Sequence, residues 1–99
     1  MRVDLHRLAR QDFVKAIEYY QKRSKLAVVE WIEQFDESLH LIRDYPVAMR
    51  QIEPGIRRLV MIQFPYSLVY TIENDSAVIL AVVHNSRKSK PWRQRLRAR

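Results

Sequence analysis

The stretch IRRLVMIQFPYSLVYTIENDSAVILAVVH, residues 56–84, decides the fold. It contains three runs rich in valine, isoleucine, leucine and tyrosine, at 56–63, 67–72 and 77–84, and this composition is typical of β-strands. The links between the runs are short, and Pro54-Gly55 before the first run indicates a tight turn. We therefore expect a three-stranded antiparallel meander. Its last strand is apolar almost throughout, which indicates cover on both faces.

Helical periodicity precedes the meander. A first amphipathic helix is predicted from apolar residues at helical spacing, namely Ala9, Phe13, Ala16, Ile17 and Tyr20. A second is predicted more clearly by apolar steps of four, three, four and three residues, at Val28, Ile32, Phe35, Leu39 and Ile42. Ser24 is the expected N-cap of this helix, and Tyr45-Pro46 is expected to end it. Such closely spaced helices predict an antiparallel hairpin.

Alternation of apolar and polar residues at positions 2–6 adds a short first strand before the helices. The predicted order is then β-α-α-β-β-β, an α+β fold with a helical hairpin packed on a small antiparallel sheet. Ninety-nine residues suit one domain, and we place it at residues 1–84.

The positive charge lies at one end of the chain. Residues 1–84 contain eleven Lys/Arg and eleven Asp/Glu, whereas residues 85–99 contain seven Lys/Arg and no acid, which together give the net +7. We interpret residues 85–99 as a basic C-terminal tail that docks on phosphate or on an acidic protein. Removal of this tail after Asn85 is expected to leave a folded domain with less affinity for its partner.

Several classes of function are excluded by composition. No cysteine is present, so disulfides and thiolate metal sites are absent, and no His or acid cluster has metal-ligand spacing. No apolar run approaches the roughly 18 residues of a membrane span, and no glycine-rich phosphate loop occurs. We expect a cytoplasmic protein without a metal, a cofactor or a membrane partner.

The chain resembles the RelE/ParE superfamily of toxins from bacterial type II toxin–antitoxin pairs. The resemblance runs through nearly the whole chain in order and rests on Glu18-Tyr19-Tyr20, the amphipathic stretch 31–42, Tyr45-Pro46, Pro54-Gly55-Ile56-Arg57, Phe64-Pro65-Tyr66, Val69-Tyr70, residues 79–84, Arg87 and Trp92-Arg93-Gln94-Arg95. It implies a growth inhibitor that is neutralised by an acidic antitoxin. RelE-like members cut mRNA on the ribosome, whereas ParE-like members poison DNA gyrase without being enzymes.

A metal-independent ribonuclease would need a base, an acid and cations on the phosphate. The candidates are Glu53, Arg57, His84 and Arg87, because the start of the first meander strand and the end of the third are expected at the same end of the sheet. Imidazole is suited to proton transfer near neutral pH, but a histidine that closes a strand more often has a structural partner.

The sequence departs from the nuclease pattern in two places. RelE-like nucleases often carry several lysines in the loop before the meander and a tyrosine near the C-terminus. Here the only cationic side chain of residues 47–55 is Arg50, and the aromatic residue of the tail is Trp92. We therefore favour gyrase poisoning. The mRNA endoribonuclease is the alternative, and a basic nucleic-acid-binding module is the alternative from another class.

Contacts to a target or to phosphate are assigned to Arg58 in the meander and to the tail residues Arg87, Lys88, Lys90, Trp92, Arg93 and Arg95. Tyr19, Tyr20 and Tyr45 are able to stack on bases. Packing in the core is the more common role of such aromatics.

Overall fold

The computed structural model describes residues 1–97. Eight elements follow one another along these residues: β1 Arg2–Leu5, α1 Arg7–Gln21, α2 Lys25–Asp44, β2 Arg50–Glu53, β3 Ile56–Val60, β4 Tyr66–Glu73, β5 Ser76–His84 and α3 Pro91–Arg97. The prediction of an α+β fold with a helical hairpin on a small sheet is confirmed. The four-residue strand β2 and the helix α3 were not predicted.

The five strands form one sheet in the order β1-β5-β4-β3-β2. The predicted meander is present, since β3, β4 and β5 pair antiparallel. The first strand, however, pairs parallel with β5, so the sheet is mixed rather than wholly antiparallel. The apolar strand β5 lies between β1 and β4, as its composition indicated.

The helical hairpin begins and ends as the sequence predicts. The side chain of Ser24 accepts a hydrogen bond from the backbone N–H of Ala27, and α2 ends at Asp44, before the Tyr45-Pro46 pair. The inward face of α2 differs from the predicted stripe at one position. Trp31 is fully buried, whereas Ile32 is 44% exposed, because the bulky indole rather than its neighbour fills the space over the sheet.

The sheet is covered on both faces. The hairpin packs on one face over a cluster that includes Trp31, Phe35, Leu68 and Tyr70. Helix α3 packs on the other face over a second cluster, which contains Ile56, Val69, Leu80, Ala81, Val83 and Trp92. A register shift between Val69 and Tyr70 leaves one extra residue in β5. Because of this bulge, two successive residues of β5 are buried on the face that α3 covers. The second cover that the apolar strand requires is therefore α3.

Two turns use backbone conformations in the left-handed region. Gly55 has a φ of 76° in the turn between β2 and β3, where glycine is the residue without a steric penalty. Asn74 has a φ of 53° in the turn between β4 and β5, and asparagine tolerates this region better than most residues. Within residues 1–97 no helix is both long enough and apolar enough to cross a bilayer.

Candidate functional site

The predicted catalytic residues do not converge. In the sheet, Arg57 pairs with Tyr70, which pairs with Ile79, five residues before His84 on β5. At about 3.3 Å per strand residue, Arg57 and His84 are separated by roughly 17 Å along the strand direction. The expectation that they share one end of the sheet was wrong. The first and third strands of a meander run parallel to each other, so the start of β3 lies beside the start of β5.

Glu53 connects the end of β2 to the C-terminal segment. Its carboxylate lies 2.8 Å from Nη2 of Arg93 and 3.8 Å from Nζ of Lys90, and its side chain is 20% exposed. The pKa of Glu53 is lowered, chiefly by the hydrogen bond from Arg93, with smaller contributions from the charges of Arg93 and Lys90. The indole of Trp92 also lowers this pKa, although its N–H has no partner within hydrogen-bond geometry among the described residues. A carboxylate held ionised in this way is a weak base.

Arg57 stabilises the chain that follows α2. Its Nη1 donates hydrogen bonds of 3.0 Å to the carbonyl of Val47 and 2.7 Å to the carbonyl of Met49. These carbonyls lie in the connection between α2 and β2. The guanidinium is thus engaged in hydrogen bonds inside the domain, whereas a nuclease would need it to contact the phosphate of the RNA.

His84 and Arg87 both contact nearby serines. The backbone N–H of Ser86 donates to Nδ1 of His84 over 3.1 Å, and the Ser86 hydroxyl lies 2.7 Å from the same nitrogen. Nε of Arg87 donates to the hydroxyl of Ser89 over 2.7 Å. His84 and Arg87 are both exposed, and the backbone N–H of Arg87 donates to the carbonyl of His84 over 2.9 Å in the turn that follows β5.

Arg58 belongs to a polar network on the face opposite Arg57. Its Nε donates to the hydroxyl of Ser67 over 2.9 Å, and its Nη2 donates to Oδ1 of Asn85 over 3.0 Å. Ser67 is fully buried and donates its own hydroxyl proton to Asn85 over 2.6 Å. The network fixes the chain where it leaves β5.

The basic C-terminal segment is partly folded onto the domain. Residues 91–97 form α3, and Trp92 is only 6% exposed against the second core cluster. Arg93 is paired with Glu53 and Arg95 is largely buried, while Arg87, Lys88 and Lys90 are exposed. Of the tail residues assigned to partner contacts, Trp92, Arg93 and Arg95 therefore have partners inside the domain, and Lys90 lies 3.8 Å from Glu53.

A largely buried ion pair closes the open edge of β5. Strand β1 pairs with β5 only as far as Ile79, so the edge beyond that residue lacks a neighbouring strand. Asp12 of α1 accepts a hydrogen bond from the N–H of Val82, and Arg95 of α3 donates one to the carbonyl of Leu80. Asp12 and Arg95 also pair with each other at 2.6 Å, with side chains 10% and 11% exposed. The pair satisfies strand groups that would otherwise be unpaired.

No described part of the chain groups three or more histidine or acidic side chains in a way that could hold a metal ion.

The comparison with protein families gives a direct match. Residues 3–89 match the family described as the ParE toxin of the type II toxin-antitoxin system, parDE. The chain belongs to the ParE toxin family. No curated protein sequence matches it significantly.

The toxin is also similar to a solved structure described as a chromosomal ParDE TA system from P. aeruginosa. The match has a TM-score of 0.76 and 18% sequence identity, and it covers 85% of this chain and 95% of the other. At this identity the match supports the fold. The family match, which spans most of the chain, identifies the protein as the toxin of a type II toxin–antitoxin system. An antitoxin is therefore its partner.

Proposed function

We propose that this toxin inhibits growth by ParE-like poisoning of DNA gyrase, through binding and without chemistry of its own. The observation that carries the proposal is the separation of the groups that RNA cleavage would need. Arg57 lies far from His84 along the sheet and donates to backbone carbonyls, and Glu53 is paired with two cations. Transesterification of RNA needs such groups within hydrogen-bond reach of one phosphate.

The partner that neutralises the toxin is proposed to be an acidic antitoxin. The protein carries a net charge of +7, and Arg87, Lys88 and Lys90 form an exposed run of cations between β5 and α3. Acidic segments are attracted to such a run, and the attraction accelerates association at low salt. Gyrase and ribosomes both work in the cytoplasm, and we place the toxin there.

Induction of the toxin alone in bacteria is expected to arrest growth, and co-expression of the neighbouring antitoxin gene is expected to restore it. If gyrase is the target, incorporation of labelled thymidine falls within minutes while full-length mRNAs persist. A gene with an early stop codon is the control for the burden of induction. Cleavage of mRNA before DNA synthesis falls would contradict the proposal, and so would normal growth at high levels of folded toxin.

A further inference from the structure

A cleft lies where the end of α1, the link before β4 and the end of β5 meet. It has a volume of about 350 Å³ and is lined by Tyr19, Tyr20, Arg23, Pro65, Tyr66, His84 and Ser86. We refer to it as the tyrosine cleft. Its volume is at the lower end of the range of about 300–1,000 Å³ that is typical of small-molecule sites.

The walls of the tyrosine cleft are aromatic rings held by the core. The rings of Tyr66 and His84 lie 5.2 Å apart, and those of Tyr20 and Tyr66 lie 6.4 Å apart. Buried Trp31 supports both tyrosines, with centroids 4.8 Å from Tyr66 and 6.0 Å from Tyr20. The cleft thus presents aromatic surfaces whose positions are fixed by packing.

The polar groups of the cleft are hydrogen-bond donors. Burial raises the pKa of Tyr20 and of Tyr66, so both hydroxyls keep their protons at neutral pH. Among residues 1–97 neither hydroxyl has a hydrogen-bond partner, whereas the hydroxyl of buried Tyr70 donates to the carbonyl of Pro46. The two tyrosine hydroxyls therefore remain available to a ligand.

His84 supplies a further donor. Because the backbone N–H of Ser86 donates to Nδ1, that nitrogen acts as an acceptor and the proton of the neutral ring lies on Nε2. The hydroxyl of Ser86 contacts the same Nδ1 and completes this rim of the cleft.

The charge of the cleft is positive. The guanidinium of Arg23 lies 3.9 Å above the ring centroid of Tyr19, and in the described part of the chain it has no carboxylate within salt-bridge distance. No acidic residue lines the cleft. A guanidinium stacked in this way keeps its N–H groups free at the ring's edge, where they are able to pair with a phosphate.

We propose that the tyrosine cleft binds a nucleotide, with the base against its aromatic walls and the phosphate on Arg23. Aromatic side chains stack on any base, and the N–H and O–H donors suit phosphate and carbonyl oxygens. A cationic ligand is disfavoured because the lining holds a cation and no carboxylate. A purely apolar ligand would leave the tyrosine hydroxyls and the guanidinium without partners. The nucleotide is either free or part of a single strand.

Binding is measured with the full-length toxin and a fluorescent eight-nucleotide strand of thymidine, with AMP and inorganic phosphate as competitors. The wild type is expected to bind the strand. Tyr19→Ala is expected to weaken binding about 5- to 150-fold, the range that corresponds to one lost stacking contact. Arg23→Ala is expected to weaken it about tenfold and to lower its salt dependence. Both side chains are on the surface, so both variants should fold.

Two matched variants separate the site from general attraction to a basic protein. Arg10→Ala removes an exposed cation from α1, the helix that carries Tyr19, and Tyr45→Ala removes an exposed tyrosine outside the cleft, so both should change the affinity less than twofold. Competition by AMP would identify a free nucleotide as a ligand, and binding of the strand alone would identify single-stranded nucleic acid.

Three outcomes would overturn the proposal: no binding of any probe, equal competition by phosphate and AMP, or equal losses in the cleft variants and their controls. The assay contains no gyrase and no ribosome. Its result is therefore independent of the proposed target.

Discussion

Truncation of the toxin after Asn85 is expected to unfold the domain, contrary to the expectation from charge alone. The cut removes Trp92 from a cluster with Val69, Leu80 and Val83, and it also removes the partner of the largely buried Asp12. Loss of a buried tryptophan side chain costs about 3–5 kcal/mol. An unpaired buried charge costs a similar amount, about 3–5 kcal/mol. Together these approach the whole stability of a small domain, about 5–15 kcal/mol.

The measurement is urea denaturation followed by circular dichroism, with Trp92→Ala as the milder variant. Trp92→Ala keeps every charge and is expected to lower the free energy of unfolding by about 3–5 kcal/mol. A variant with Lys88→Gln and Arg97→Gln removes two exposed cations and should unfold near the wild-type midpoint. If the truncated chain unfolds cooperatively at the wild-type midpoint, α3 is an appendage and the second cluster does not stabilise the fold.

Arg95→Ala is expected to destabilise the domain nearly as much, although the sequence predicts that an arginine in this basic segment contacts a partner at the surface. The substitution leaves the largely buried carboxylate of Asp12 without its cation, and it removes the donor to the carbonyl of Leu80. We expect a loss of about 3–5 kcal/mol in the free energy of unfolding. Arg95→Lys keeps the charge but not the planar fork that reaches both acceptors, so an intermediate loss is expected.

Arg97→Ala is the matched control for Arg95→Ala. It removes an exposed arginine from the same helix, and surface substitutions of this kind usually change stability by less than about 0.5 kcal/mol. Equal stability of the two variants would contradict the structural role of Arg95. A loss of toxicity by Arg95→Ala at unchanged stability would assign Arg95 to partner contact instead.

The order of the main elements was predictable because their periodicity is strong. The hairpin and the meander have apolar residues at unambiguous spacing, and the caps at Ser24 and Tyr45 mark the ends of α2. Strand β2 was missed because four residues, Arg50–Glu53, carry too little alternation to be recognised. Its presence is determined by pairing with β3, which is a tertiary effect.

Helix α3 was missed although the sequence contains a signal for it. Pro91 is well suited to the first turn of a helix, and Trp92 and Leu96 have the spacing of one helical face. The seven cations of residues 85–99 instead favoured a tail that docks on a partner. An apolar β5 requires cover on both faces, but its composition does not indicate which segment provides the second cover.

The candidate site was less predictable than the fold. Whether Arg57 and His84 meet depends on which strand ends lie side by side, and the expectation wrongly placed the start of β3 beside the end of β5. The role of Asp12 had no local signal, because its partners lie 70 and 83 residues away in the chain. The tyrosine cleft likewise joins three separate segments, so only the folded chain brings it together.

The central functional claim is tested most directly by gyrase supercoiling with purified components. Relaxed plasmid, gyrase and ATP are incubated with increasing full-length toxin, and a parallel reaction contains translating ribosomes with a labelled mRNA. We predict that the toxin inhibits supercoiling, that added antitoxin restores it, and that the mRNA stays intact. Unimpaired supercoiling at a large molar excess of toxin, together with cut mRNA, would contradict the account and identify the protein as an endoribonuclease.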